Sequence, residues 1–329
     1  MADGTFPPHD RRPAARPRLA IALVNNMPDA ALQATERQFA GLVAEAARDD
    51  FEVAFSLYAL PSLPRGELAS AAMGQRYAGV EALMRQGTDA LIVTGAEPRA
   101  ARLQDEPFWD ELTGLVDWAR THTLSSVWSC LAAHAAVQHM DGVVRQPLPV
   151  KCAGVFTFER VAEAALTAGL PNLVRMPHSR RNALSPGELE AKGYQMLTRS
   201  PRAGADIFTR QGQSLFVFLQ GHPEYDPDSL LREYCRDVGR YLRGDQADYP
   251  QSPFGYFDSE TERSFRALAV RARAAREFPL LGWCSEIAAG AKPARPWRAH
   301  AVMLFRNWLE HLAAAKANAV DGVGARRQA

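Results

Sequence analysis

The stretch that decides the fold is Leu124-Ser125-Ser126-Val127-Trp128-Ser129-Cys130-Leu131-Ala132-Ala133-His134-Ala135-Ala136-Val137-Gln138-His139-Met140. Leu124–Ser129 reads as a short buried strand, and the Ala-rich run from Leu131 to Met140 reads as a helix that follows at once. Only Cys130 separates the two. The same alternation extends to both sides. Leu19–Val24 is a continuous apolar run, as expected of a strand covered on both faces, and Asn25-Asn26-Met27-Pro28-Asp29 breaks it. Ala30–Ala47 suits a helix, Phe51–Leu60 a strand, Val80–Arg85 a helix, Asp89–Val93 a strand and Trp109–Arg120 a helix. Strands alternating with helices across short connections give a largely parallel sheet covered by helices. With right-handed crossovers, the fold class is α/β with a doubly wound, mostly parallel sheet.

Beyond Lys151 the pattern changes to short β-like runs, Gly154–Phe158 and Ser214–Leu219. Pro227–Arg243 is helical by period, Gly244–Glu262 reads as a long polar and aromatic loop, and Trp297–Ala315 is a closing helix. No shift in composition marks a boundary, so one domain over residues 19–315 is expected. Residues 1–18, with Pro7, Pro8, Pro13 and Pro17, read as a disordered leader rather than an amphipathic presequence, and residues 316–329 as a flexible tail.

The chain has 329 residues, 47% hydrophobic and 23% charged, with a formal net charge of +1. That balance offers no global field to attract nucleic acid or an anionic membrane. No apolar run has spanning length, so a cytoplasmic protein is expected. Cys130, Cys152, Cys235 and Cys284 lack the paired spacing of a zinc site, and without a secretory signal disulfides are not expected.

In an open α/β sheet, ligands bind beyond the C-terminal ends of the strands. Cys130 lies at such an end, on a sharp turn at the positive end of a helix dipole, which favours a thiolate. The Leu131 N–H is placed to help an oxyanion form. The flanking Trp128, Ser129, Leu131 and Ala132 are not the glycines of a nucleophile elbow, so local pattern alone fits a small buried Cys better than a nucleophile. His222 and Glu224, two apart around Pro223, point the same way on an extended segment. The carboxylate can then orient the imidazole as a base, although both residues could instead cap the following helix.

Longer motifs carry more. Gly221-His222-Pro223-Glu224-Tyr225-Asp226, followed by Arg232-Glu233-Tyr234-Cys235-Arg236-Asp237, resembles the signature of the homoserine O-succinyltransferase family. So do Val24-Asn25-Asn26-Met27-Pro28, Ile92-Val93-Thr94-Gly95-Ala96, the run from Cys130 to Ala136, Lys151-Cys152-Ala153-Gly154-Val155, Pro177-His178-Ser179-Arg180 and Trp297-Arg298-Ala299-His300. The similarity keeps its order from about Leu19 to Leu312.

The resemblance implies a class I glutamine-amidotransferase-like (flavodoxin-like) fold. It implies transfer of an acyl group from coenzyme A to the hydroxyl of L-homoserine through an acyl-enzyme on cysteine, a step of methionine biosynthesis. Cys130 would be the nucleophile, His222 its base and Glu224 the orienting carboxylate. Lys151, Ser179 and Arg236 match substrate-binding positions, though each also suits an exposed polar surface. No metal or cofactor is implied. Succinyl-CoA or acetyl-CoA is a co-substrate, the partners are small molecules, and a homodimer is compatible with this reading.

Three departures concern the substrates. Asp29 stands where the family commonly has lysine, His134 where it tends to have Gln, and Arg99 at the position that separates acyl donors. Arg99 is bulky, but its charge would attract the distal carboxylate of succinyl, which favours succinyl-CoA over acetyl-CoA. O-Acetyl transfer, transfer to another amino-alcohol such as serine, and an amidotransferase-like hydrolase are the alternatives.

Overall fold

A computed structural model describes residues 16–74 and 76–326, with side chains described as far as residue 319. Residues 1–15 of the expected leader and 327–329 of the expected tail lie outside the described residues. In chain order the first half comprises β1 (Arg18–Val24), α1 (Asp29–Ala47), β2 (Glu52–Ala59), α2 (Glu67–Met73), β3 (Tyr77–Gly79), α3 (Val80–Gln86), β4 (Ala90–Val93), α4 (Trp109–His122), β5 (Ser125–Ser129) and α5 (Leu131–Asp141). The second half comprises β6 (Gln146–Arg160), β7 (Leu173–Ala183), α6 (Pro186–Ala191), β8 (Gln195–Met196), β9 (Thr198–Ser200), β10 (Gly204–Ala205), β11 (Ile207–Gln211), β12 (Leu215–Leu219), α7 (Ser229–Arg243), α8 (Ser259–Ala274), α9 (Leu280–Gly290) and α10 (Arg298–Arg326).

The main sheet has the order β3-β2-β1-β4-β5-β12-β11-β8. Its pairings are parallel from β3 through β12, and antiparallel at β12–β11 and β11–β8. The expected mostly parallel α/β sheet is therefore present. Its two faces follow the period-2 alternation of its strands. Leu19, Ile21 and Leu23 of β1 pack with Phe39 and Leu42 of α1 and with Phe305 and Trp308 of α10. Ala22 and Val24 turn to the opposite face, with Leu112 and Leu115 of α4 and the alanines of α5. Small side chains on α5 let that helix lie close to the sheet. β5 is buried throughout, and its first two serines are satisfied: Ser125 Oγ donates to Leu215 O at 2.7 Å, and Trp128 Nε1 donates to Ser126 Oγ at 2.8 Å.

A second sheet, in the order β10-β9-β6-β7, is antiparallel and was not anticipated. Only Gly154–Phe158 of its long β6 was legible. Pro147 and Pro149 interrupt any alternation before it, and the pairing with β7 shifts register between Pro147 and Cys152. The loop after α7 crosses this sheet, where Phe254 N donates to Ala153 O at 2.9 Å and Val155 N to Phe254 O at 2.8 Å. Its aromatic residues Tyr249 and Tyr256 join α7, α8 and α9 in a third apolar cluster. The expected loop ends sooner than Glu262, because the Asp258 carboxylate accepts from the Glu260 and Thr261 N–H groups and starts α8.

The closing helix α10 continues past Ala315. Lys316 Nζ bonds Asp89 Oδ2 at 2.6 Å and Arg18 O at 2.9 Å, tying the helix to the entry of β1. Among the described residues no helix is long and apolar enough to cross a membrane.

Candidate active site

Cys130 occupies the single residue between β5 and α5, with φ 53° and ψ −114°. Among the described residues only Arg48 is another non-glycine with positive φ. This backbone is held, not relaxed: Cys130 N–H donates to Leu219 O at 2.7 Å, which closes the turn against β12. The strained turn lifts a partly exposed thiol at the head of α5. The Leu131 N–H takes no acceptor from the described residues. Gly95 lies against it, and a Cβ there would sit 3.1 Å from Leu131 N.

Parallel pairing of β5 with β12 sets Ser129 beside Leu219, so the segment Gln220-Gly221-His222 leaves the sheet next to Cys130. His222 N–H is anchored on Pro177 O at 2.8 Å, and His222 Nδ1 lies 2.9 Å from Glu224 Oε1. That occupies Nδ1 and leaves Nε2 without a hydrogen bond among the described residues, with the Cys130 sulfur near enough to act on the charge of the ring. Burial alone would lower the His222 pKa, but the Glu224 carboxylate and the Cys130 sulfur outweigh it and hold the imidazole well above its ordinary value. Tyr225 stacks on the His222 ring with centroids 4.3 Å apart. Arg295 and Trp297 fix the backbone beneath, donating to Tyr225 O at 2.9 and 3.2 Å.

The structure brings Lys151, Ser179 and Arg236 together through two carboxylates of α7. Lys151 Nζ lies 2.8 Å from Asp237 Oδ2 and 3.4 Å from Glu233 Oε2. Ser179 Oγ donates to Glu233 Oε2, Tyr225 Oη donates to Glu233 Oε1, and Arg236 is 3.3 Å from Asp237 Oδ1. Burial would raise the Glu233 carboxyl, but Lys151 and the two hydroxyls hold it below its ordinary value. Lys151, Glu233 and Asp237 border a cavity of about 250 Å³. Glu233, Asp237 and Tyr225 were not singled out as functional by the sequence. The spacing of four between Glu233 and Asp237 on a helix, which puts both on one face, was the available signal.

Arg99 is not part of this group. It is exposed, on a cavity of about 310 Å³ shared with Asn26, Asp29, Arg65 and Glu106, and its N–H donates to Glu106 Oε1 at 2.7 Å. Glu97 pairs with Arg240 at 3.4 Å. The negative charge at Asp29 is matched within its own loop: Arg65 lies 3.2 Å from Asp29 Oδ1 and also donates to the carbonyls of Asn25 and Met27. Arg65 thus supplies a cation where the first loop lacks lysine.

A thiol, an imidazole and an orienting carboxylate in this order can perform acyl transfer through a covalent intermediate. Residues 9–318 match the family model for homoserine O-succinyltransferase. The chain belongs to that family. It is 50% identical over 304 residues to the homoserine O-succinyltransferase of Rhodopseudomonas palustris, covering 92% of this chain and 91% of that one. To the Bradyrhizobium japonicum homoserine O-succinyltransferase it is 47% identical over 311 residues, with 92% and 93% coverage. Among solved structures, a glutamine amidotransferase from Thermotoga maritima is similar at a TM-score of 0.48 and 11% identity, covering 90% of this chain and 98% of that one. The family is an acyltransferase of methionine biosynthesis.

Proposed function

We propose that this chain transfers a succinyl group from succinyl-CoA to the hydroxyl of L-homoserine through a thioester on Cys130. The observation that carries the reading is the His222 imidazole, held by Glu224 on Nδ1 and carried on the segment that leaves β12 next to Cys130. The Cys130 thiolate attacks the donor carbonyl, the C–S bond to coenzyme A breaks, and the departing thiolate takes the proton carried by His222. The neutral imidazole then removes the homoserine hydroxyl proton as that oxygen attacks the acyl-enzyme, and Cys130 leaves as thiolate beside the restored imidazolium. The Leu131 N–H supports the oxyanion of each tetrahedral intermediate.

The charges on α7 support an amino-acid acceptor. Homoserine presents an ammonium and a carboxylate. Glu233 suits the first, while Arg236 and Lys151 suit the second, Arg through its planar fork. The reaction needs no resident cofactor, since coenzyme A arrives and leaves as a substrate.

The test is mass spectrometry of the protein mixed with succinyl-CoA and no acceptor. Cys130 gains one succinyl group, homoserine discharges it, and Cys130→Ala gains none. Turnover without any such adduct in rapid-quench samples defeats the covalent route.

A further inference from the structure

The ladder between β11 and β12 closes with Ile207 opposite Leu219, one residue short of the segment that leads to His222. Asp206, just before β11, carries the pairing on. Its backbone carbonyl accepts the Gln220 N–H at 3.1 Å, and its carboxylate Oδ1 accepts the Gly221 N–H at 2.9 Å. Pro177 O takes the next one, the His222 N–H, at 2.8 Å. Three successive N–H groups up to the imidazole are thus fixed, two of them by Asp206.

Behind Asp206 lies His178, stacked on Phe158 with centroids 4.9 Å apart. Its Nδ1 accepts from Arg180 Nε at 3.3 Å, which leaves the proton of a neutral ring on Nε2. That Nε2 is 3.3 Å from Asp206 Oδ1. Burial holds the His178 pKa below its ordinary value, so the ring stays neutral. Arg180 is itself buried and donates to the carbonyls of Asn182 and Ala203. Guanidinium, imidazole and carboxylate therefore stand in a row that ends on the backbone before His222. His178 and Asp206 have no exposed surface, so neither can touch a substrate. Mere packing does not call for such a row. A buried carboxylate is costly, and Asp206 Oδ2 has no partner among the described residues. What the carboxylate supplies is a stronger acceptor for the Gly221 N–H than a neutral group would be.

We propose that Asp206, backed by His178 and Arg180, is a positioning residue for the transfer, placing the His222 imidazole for Cys130 by holding the Gly221 N–H. This rests on the acyl-transfer reading above. A catalytic group displaced by about 1 Å loses on the order of 100-fold in rate.

The test follows kcat, both KM values and the rate at which iodoacetamide alkylates Cys130, read on its own peptide by mass spectrometry. The proteins are the parent, Asp206→Ala, Asp206→Asn and His178→Phe, with thermal unfolding to check that each is folded. Asp206→Ala lowers kcat roughly 10- to 100-fold, while the KM values for homoserine and succinyl-CoA stay within about twofold. It also slows alkylation of Cys130, because a misplaced imidazolium no longer stabilises the thiolate. Asp206→Asn keeps an acceptor for the Gly221 N–H and regains most of both losses. His178→Phe fills the slot beside Phe158 without an N–H, lowers kcat roughly 3- to 10-fold, and carries the test if Asp206→Ala does not fold. Parental kcat and alkylation in folded Asp206→Ala or His178→Phe overturn the proposal. So does a loss confined to KM, or Asp206→Asn no more active than Asp206→Ala. A parent protein without turnover of succinyl-CoA and homoserine overturns the acyl-transfer reading itself, and Cys130 alkylation then still decides the role of Asp206.

Discussion

The Nε2 of His134 lies 3.2 Å from the carboxamide oxygen of Gln220, and both side chains are buried. The same oxygen accepts from Leu184 N–H, and Gln220 Nε2 donates to Ala205 O at 2.7 Å. One carboxamide thus ties the helix headed by Cys130 to the strand end that carries His222 and to the start of the antiparallel sheet. His134, one turn beyond Cys130, is a member of this joint, and its Nδ1 has no partner among the described residues. Burial depresses its pKa to about 3.

That depression gives a pH prediction. In the unfolded chain a histidine titrates near 6.5. Below about 6.5 the unfolded state takes up a proton that native His134 refuses until about pH 3, so stability from neutral His134 is full above 6.5 and lost as pH falls. His134→Gln removes this linkage and makes the acid limb of stability shallower. Urea midpoints measured from pH 7 down to pH 4 test it, and parallel limbs in parent and variant rule the account out.

Glu224→Gln removes the largest influence that raises His222, leaving burial to lower it. The low-pH limb of kcat/KM for homoserine, the half-reaction that needs neutral imidazole, should then move to lower pH, with kcat reduced by less than the roughly 10²- to 10⁴-fold expected for His222→Asn. A profile that stays in place would show that Glu224 does not set the charge of the imidazole.

Glu233→Gln keeps the size of the side chain but removes the charge that Lys151, Ser179 and Tyr225 converge on. The homoserine KM should rise about tenfold, equivalent to ~1.4 kcal/mol, with little change for the acyl donor. Arg236→Lys should raise the same KM by about the same factor through loss of the planar fork. If instead the donor KM rises, these residues serve the coenzyme A side.

Gly221→Ala tests the support behind His222. A Cβ at residue 221 would come 2.6 Å from Met176 Cγ and 2.8 Å from both Asp206 Oδ1 and His178 Nε2. His178 and Asp206 are a fully buried pair 3.3 Å apart and cannot retreat into solvent. The overpacking should cost about 1–3 kcal/mol. It should also lower kcat more than KM by displacing the adjacent His222. Normal thermal stability with normal kcat would mean that the pair yields without strain.

What the sequence determined by itself was local and periodic. Leu19–Val24 and Asp89–Val93 are apolar enough to be central strands wherever they are placed, and the change of pattern at Cys130 fixes a strand-to-helix turn there. The order of motifs from Leu19 to Leu312 likewise identified the family. The first half of β6 was beyond such reading, because it pairs with β7 through a register shift and carries two prolines. The same holds for the site. His222 and Glu224 are two residues apart and legible as a pair, but their place beside Cys130 exists only because β12 inserts next to β5. Glu233 and Asp237 are ordinary helix carboxylates until Lys151 and Ser179 arrive from the other sheet. Arg65 and Arg99 look alike in the sequence. Tertiary structure separates them, burying Arg65 on Asp29 and the carbonyls of Asn25 and Met27 while Arg99 stays exposed, because burial and partners are set by what packs around a side chain and not by its neighbours in the chain.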